Sequence, residues 1–406
     1  MREIVITGTG LILPNCDSRE TFWRQLHDGD SQISLCADPS DPGALVPMGR
    51  VHDFDARRYV KDVPERFYNR FGRAHLFYLS SLFQACDDAG LDPATVTGDR
   101  VGLFDGTSRD HLDVWAEHLG EGVPLTRRDV AIANSAMGVG LAAALLGVSG
   151  PAYTYSSTCA SGVVAVGHAL RELERGDIDL ALASGHDAAL LAPVYEMYRN
   201  AGLLSVEQED ARRAIRPYGG NSRNALGEAA VTVALESREH ADARGVEALA
   251  TLAGYRYGNS GFHPTTIDET GARAAELIEG LLTQHGVAPE QVGFVVGHGN
   301  GVEGSDRSEL AYMKRVFGDR APQVPLLTVK PVYGHALGAS GVVSLAAATL
   351  MLRNQYVVPT INMDPQLDTG VPHQPNVGAP RDCEWGLVVC FGIGGQNVVL
   401  LLRRAT

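Results

Sequence analysis

Hydrophobic positions along the chain fall in short blocks separated by glycine-rich turns. Glu3-Ile4-Val5-Ile6-Thr7 reads as an N-terminal strand turning at Gly8 and Gly10. Residues 35–50, rich in Asp, Pro and Gly, read as a loop, and residues 64–90 as helix. Val101-Gly102-Leu103-Phe104 reads as a short buried strand, with a helix expected over 133–147. The pattern is clearest from residue 151 to residue 183. Residues 151–156 are extended. Val163, Val166, Leu170 and Leu173 then share one helical face over 160–174, Arg175-Gly176 closes the helix, and 178–183 is a second strand. Strand, crossover helix and strand make a βαβ unit with parallel strands.

The second half repeats this theme. Residues 292–297 form a strand ending at His298, and Leu326-Leu327-Thr328-Val329 forms another before a turn and a helix over 337–353. Two apolar runs, 387–391 and 397–402, flank Gly392-Ile393-Gly394-Gly395-Gln396 and predict a hairpin. Ala160-Ser161-Gly162-Val163-Val164 recurs as Ala339-Ser340-Gly341-Val342-Val343, each copy opening a long helix after a strand and a tight turn. The echo predicts a duplicated α/β fold whose halves face each other.

Composition narrows the function. A chain of 406 residues with 45% hydrophobic content can bury a large core. The net charge of −14 argues against nucleic acid as a partner. Only three of the 34 basic residues are lysine, namely Lys61, Lys314 and Lys330. The six cysteines are dispersed and form no C-x-x-C pair, which signals neither zinc nor thiol redox chemistry. No signal-peptide pattern opens the chain, and the apolar stretch MGVGLAAALLGV is too short to span a bilayer. A cytoplasmic protein with no membrane contact is expected. Gly8-Thr9-Gly10 lacks the third glycine of a dinucleotide fingerprint.

Candidate chemistry centres on Tyr155-Ser156-Ser157-Thr158-Cys159-Ala160-Ser161-Gly162. One cysteine stands among small residues where a strand turns into a helix. A helix N-terminus presents unpaired N–H groups and a positive dipole end, which lower a thiol pKa. This is the logic of a nucleophile elbow with sulfur in place of oxygen. A packed, inert cysteine is the alternative. His298 and His335 both lie in glycine-framed turns at strand ends, where substrate can approach closely. The Gly392-Ile393-Gly394-Gly395 loop can aim backbone N–H groups at an oxyanion.

The ordered motifs STCASG, GHGNGVEGSDRSE, VKPVYGHALGASG and CFGIGGQN resemble those of the β-ketoacyl-acyl carrier protein synthases of the thiolase superfamily. The likeness runs from VITGTGLILP to FGIGGQNVVLLL. It implies a thiolase-like α/β fold: one ketosynthase unit, 1–406, whose halves, about 1–238 and about 239–406, form a five-layered α-β-α-β-α core. It implies that Cys159 is the acyl-accepting nucleophile, that His298 and His335 are the catalytic histidines, and that Lys330 is the site's lysine. Asp306 and Glu309 match the family's acidic pair, and the backbone N–H groups of Cys159 and Ile393 its oxyanion donors. The GSDRSE spacing looks closest to iterative type II polyketide ketosynthases. A partly buried Lys330–Glu309 ion pair ordering His298 is expected.

Three departures stand out. Asn300 and Val302 occupy positions where the family carries hydroxyls that bind the pantetheine arm. Ile393 replaces a phenylalanine gate, and Phe391 is retained two residues earlier. Arg216 to Glu228 resembles a family motif but lacks its aspartates and its Gly-Phe pair. The resemblance implies decarboxylative condensation of an acyl thioester with a malonyl-type carrier thioester, without metal or nucleotide cofactor. A non-elongating acyltransferase, or a non-catalytic chain-length-factor-like subunit, is the rival reading. An acyl carrier protein is the implied partner, with Arg66, Arg70, Arg73, Arg212 and Arg213 as candidate docking residues. A homodimer across residues 151–158 is expected, or a heterodimer with a chain-length-factor-like subunit.

Overall fold

The computed structural model describes residues 2–109, 112–120, 122–127, 129–320 and 323–405. Ten strands build one mixed sheet: β1 (Ile4–Ile12), β2 (Val101–Thr107), β3 (Ala152–Tyr155), β4 (Leu180–Asp187), β5 (Ala229–Ser237), β6 (Ala250–Asn259), β7 (Val292–Val296), β8 (Leu326–Leu327), β9 (Trp385–Gly392) and β10 (Gln396–Arg404). Their order is β8-β7-β9-β10-β6-β1-β5-β4-β2-β3. Read outward from the centre, the two halves are the same. Each has two antiparallel pairings followed by two parallel ones, β1-β5-β4-β2-β3 on one side and β6-β10-β9-β7-β8 on the other. The halves join through Val5 opposite Thr251 and Ile6 opposite Ala250.

The helices that cover the strands include α1 (Arg73–Asp88), α2 (Met137–Leu146), α3 (Ser161–Arg175), α4 (Ala272–His285), α5 (Glu303–Val316) and α6 (Ser340–Asn354). Alternation along the strands sorts the layers. On β9, Val388 and Cys390 join the core shared with α3 and α6, whereas Leu387, Val389 and Phe391 pack with α4 and α5. On the first half, Leu103 and Leu182 face α1 and α2, and Phe104 and Ala183 face α3. The result is helix, sheet, helix, sheet, helix: five layers. Both sheet faces are largely covered, so most strand positions are buried, with polar exceptions such as Asp105, His186, Asp187 and Glu236.

The repeated pentapeptide sits at the centre. A Cβ on Gly162 would stand 2.5 Å from Val342 Cγ2, and one on Gly341 would stand 2.6 Å from Val163 Cγ1. The helices α3 and α6 thus cross reciprocally, each glycine receiving the other's valine. The segment Leu337–Asn354 is the one helix among the described residues long and apolar enough to cross a bilayer, and 89% of its apolar window is buried. It is the central helix between the sheets.

Several expectations are corrected. β1 does not turn at Gly8 and Gly10. It runs through both, and a Cβ on Gly10 would stand 1.7 Å from Ser81 O, so these glycines admit α1. The 35–50 segment is largely a β-hairpin, Ser34–Asp38 pairing with Asp41–Met48. The 326–329 strand shortens to Leu326–Leu327. The 64–90 helix begins only at Arg73, so Arg66, Arg70 and Arg73 share no helical face. Arg73 is held by the buried Glu228 carboxylate, Nη2 to Oε1 at 2.7 Å. That removes it from the candidate docking residues, while Arg66, Arg70, Arg212 and Arg213 are exposed.

Candidate active site

Cys159 lies just before α3, between β3 and the helix. The turn is tight: Thr158 adopts φ +51°, a region that β-branched residues rarely enter. Ser161 fastens it, accepting from Ser157 N at 2.8 Å and donating to Thr158 O at 2.6 Å. The loop after β9 closes over this turn, with Thr158 Oγ1 donating to Ile393 O at 3.1 Å. A Cβ on Gly392 would stand 2.3 Å from Thr158 Oγ1, so only glycine lets the two loops meet.

The two histidine loops converge on the same place from the second half. His298 and His335 rings meet edge to face with centroids 5.3 Å apart. Phe391 N donates to His298 Nδ1 at 3.5 Å. His335 Nδ1 lies 2.8 Å from Ser340 Oγ. Cys159, His298, His335, Asn300, Val302, Phe391 and Ile393 all line one cavity of about 220 Å³.

Behind this wall Lys330, Asp306 and Glu309 are buried. The expected Lys330–Glu309 ion pair is not formed. The two groups meet instead on the His298 backbone: Lys330 Nζ donates to His298 O, while Glu309 accepts from His298 N at 2.7 Å and Gly299 N at 2.5 Å. The peptide dipole sits between them, and the loop is fixed from both ends. Asp306 Oδ2 accepts from Tyr218 N at 2.7 Å, tying down the segment that departs from the family motif.

Residues 1–241 match the family described as beta-ketoacyl synthase, N-terminal domain, and residues 249–364 its C-terminal domain. The chain belongs to the β-ketoacyl synthase family. The 3-oxoacyl-(acyl-carrier-protein) synthase 2 of Vibrio harveyi is 29% identical, aligned over 99% of both chains. A putative polyketide beta-ketoacyl synthase 1 of Streptomyces halstedii is 30% identical over 98% of both. Among solved structures, one described as a type II PKS acyl-carrier protein in complex with its ketosynthase bound to the hexaketide superposes with a TM-score of 0.89. Identity is 26%, and both chains are covered fully. The ishigamide ketosynthase/chain length factor gives the same values.

Electrostatics of this β-ketoacyl synthase site are governed by dryness. Burial, with the positive charge of Lys330, holds both His298 and His335 well below the ordinary imidazole value of 6.5, so both are neutral at physiological pH. Burial also pushes the Cys159 thiol up to about 11, with Lys330 pulling it back. The helix N-terminus alone predicted a lowered value; desolvation outweighs it. Burial raises Glu309 to about 7 and lowers Lys330.

Sequence reasoning missed part of the wall. Tyr198, Leu203, Asn224, Thr265, Thr266, Ile267, Glu269, Gly304 and Ser305 also line the cavity. Asn224 had a signal, since it lies in the stretch lacking the family's Gly-Phe. Tyr198, on the helix Ala192–Asn200, and the 265–269 loop had none, because segments distant in the chain bring them in. Cys390, the first residue of the CFGIGGQN motif, was given no role, although its Sγ lies 3.4 Å from Cys159 O.

Proposed function

We propose that this chain catalyses decarboxylative Claisen condensation between an acyl thioester and a malonyl-type carrier thioester in fatty-acid or polyketide synthesis. The observation that carries the reading is one cavity lined by a thiol and two neutral imidazoles. In the first stage the Cys159 sulfur bonds to the acyl thioester carbonyl carbon, the bond from that carbon to the carrier sulfur breaks, and the proton lost by Cys159 ends on the carrier sulfur, which departs as a thiol. The backbone N–H groups of Cys159 and Ile393 are proposed as donors to the tetrahedral oxyanion, a contribution of about 3 kcal/mol for each such donor.

In the second stage the malonyl-type group loses carbon dioxide and leaves an enolate. Neutral imidazoles suit this step, because each can donate one N–H to the developing oxyanion. Phe391 N–H donating to Nδ1 places the His298 proton on Nε2, and Ser340 Oγ, 2.8 Å from His335 Nδ1, can do the same for His335 by donating its hydroxyl proton. The enolate carbon then bonds to the acyl carbonyl carbon, and Cys159 is released. Lys330 and Glu309 act as positioning residues through the His298 backbone. Two departures bear on substrate handling. Val302 offers no hydroxyl, and stiff Ile393 makes a poor swinging gate.

An acyl carrier protein is the proposed donor of both thioesters, docking near Arg66, Arg70, Arg212 and Arg213. We read the chain as one catalytic unit of two halves divided near residue 238. A dimer across the open edge strand β3, or a heterodimer with a related subunit, fits that reading.

The test is intact mass after incubation with acyl thioesters, followed by addition of malonyl carrier. Wild type is expected to gain an acyl adduct that chases into a β-ketoacyl product, and Cys159→Ala to gain none. An adduct that passes only to another nucleophile would favour acyl transfer without elongation. No adduct with any thioester would overturn the reading.

A further inference from the structure

Two residues in the cavity wall each carry a buried polar side-chain atom without a partner. Asn224 Oδ1 and Ser305 Oγ are both buried, at 3% and 0% residue exposure, and neither makes a hydrogen bond. Buried polar groups in native proteins are nearly always paired, so orphans in a binding cavity mark contacts that a ligand completes. Much of the surrounding wall is apolar: Leu203, Ile267, Val302, Phe391 and Ile393.

The backbone holds Asn224 at the reaction centre. Its N–H donates to Leu203 O at 2.8 Å, and its C=O accepts from Ser205 N at 2.7 Å. The residue before it donates to Gly301 O at 2.8 Å, and the residue after it accepts from His335 N at 2.8 Å. Asn224 therefore stands between the loop that follows His298 and the loop that carries His335. Ser305 lies three residues beyond Val302 in the first turn of α5, the spacing that places side chains on one helix face.

We propose that Asn224 and Ser305 are specificity-determining residues, and that the preferred thioester carries a hydrogen-bonding substituent, a hydroxyl or amino group, near its reacting carbons. This inference rests on the condensing reading above. A plain alkyl group seated there excludes water and leaves the Asn224 amide unpaired. A polar substituent of the same length pairs it. Discrimination arises from the penalty on the wrong substrate as much as from attraction to the right one.

The substituent can sit on the acyl unit or on the extender, and two arms separate these. In one, butyryl and 3-hydroxybutyryl thioesters compete against malonyl carrier. In the other, methylmalonyl and hydroxymalonyl carriers compete with a fixed acyl group. The quantity read is the polar-to-alkyl ratio of kcat/KM in wild type, Asn224→Leu and Ser305→Ala, with Asn224→Thr as a smaller replacement should the leucine variant not fold. Wild type is expected to favour the polar member by roughly tenfold or more in one arm. Asn224→Leu is expected to bring that ratio towards one, and Ser305→Ala to lower it through KM. A wild-type ratio near one in both arms would overturn the inference, as would a substitution at Asn224 that slows both members equally. Adducts on Cys159 with a flat ratio sink this inference alone, whereas no adduct at all sinks the condensing reading with it.

Discussion

The Cys159 sulfur is held in a dry pocket at 5% residue exposure, with its charge balance set by Lys330 on one side and burial on the other. Its reactivity in the free protein should therefore climb with pH towards about 11. Removing the positive charge that most favours the thiolate should slow it further. Lys330→Met is expected to alkylate at Cys159 more slowly than wild type at pH 8, measured by peptide mass after timed iodoacetamide treatment. An unchanged rate would remove Lys330 from the thiol's electrostatics. The imidazoles divide the two half-reactions. His298→Ala and His335→Ala should each depress release of carbon dioxide from malonyl carrier by about a hundredfold, the scale of one lost oxyanion donor. Self-acylation should fall less. Equal loss in both steps, followed by radiolabelled carbon dioxide and by intact mass, would contradict the role assigned to them.

Among the elements, the α3–α6 crossing has little slack. A methyl on Gly341 would meet Val163 Cγ1 at 2.6 Å, and valine cannot swing aside because its χ1 is restricted. Gly341→Ala should destabilise the protein by about 1–3 kcal/mol through overpacking. Combined with Val163→Ala it should cost less than the sum of the two single changes, as read from urea denaturation. Additive losses would show that the crossing tolerates the methyl. Elements also show which local signals sufficed. The α3 helix was legible because four apolar residues keep its period and Gly176 closes it at φ +78°. The misread glycines of β1 are explained by a neighbour far along the chain. Gly8 and Gly10 are there to let the α1 backbone lie against the strand, and nothing local distinguishes that from a turn. The late start of α1 has a similar origin. Gly72 is its extended N-cap, and Arg73 is drawn to Glu228, a partner 155 residues away.

For the molecule as a whole, the buried titratable groups make stability depend on pH with opposing signs. His298 and His335 have folded values depressed below 6.5, so their contribution is present above that pH and is lost as pH falls. Glu309 is raised from 4.5 to about 7, so its contribution is present below 4.5 and is lost as pH rises through about 7. Between these limits the two trends offset each other. Glu309→Gln removes one of them. Its melting temperature should fall more steeply with acidification from pH 7 to pH 5 than that of wild type, as followed by calorimetry. Parallel slopes in the two proteins would show that Glu309 does not titrate in this window.

The sequence by itself determined the duplication, the cysteine at a strand-to-helix turn and the two glycine-framed histidines. Each of these is carried by residues close together in the chain: an echoed pentapeptide, a run of small side chains, a glycine on either side of an imidazole. The tertiary structure decided what depends on distant partners meeting. It placed Lys330 and Glu309 on opposite ends of the His298–Gly299 peptide unit rather than on each other. It let burial overrule the helix N-terminus at Cys159. It brought Tyr198, Asn224, the 265–269 loop and Ser305 into the same cavity wall. Desolvation and unpaired polar atoms are properties of an enclosed volume, and no single stretch of sequence encloses one.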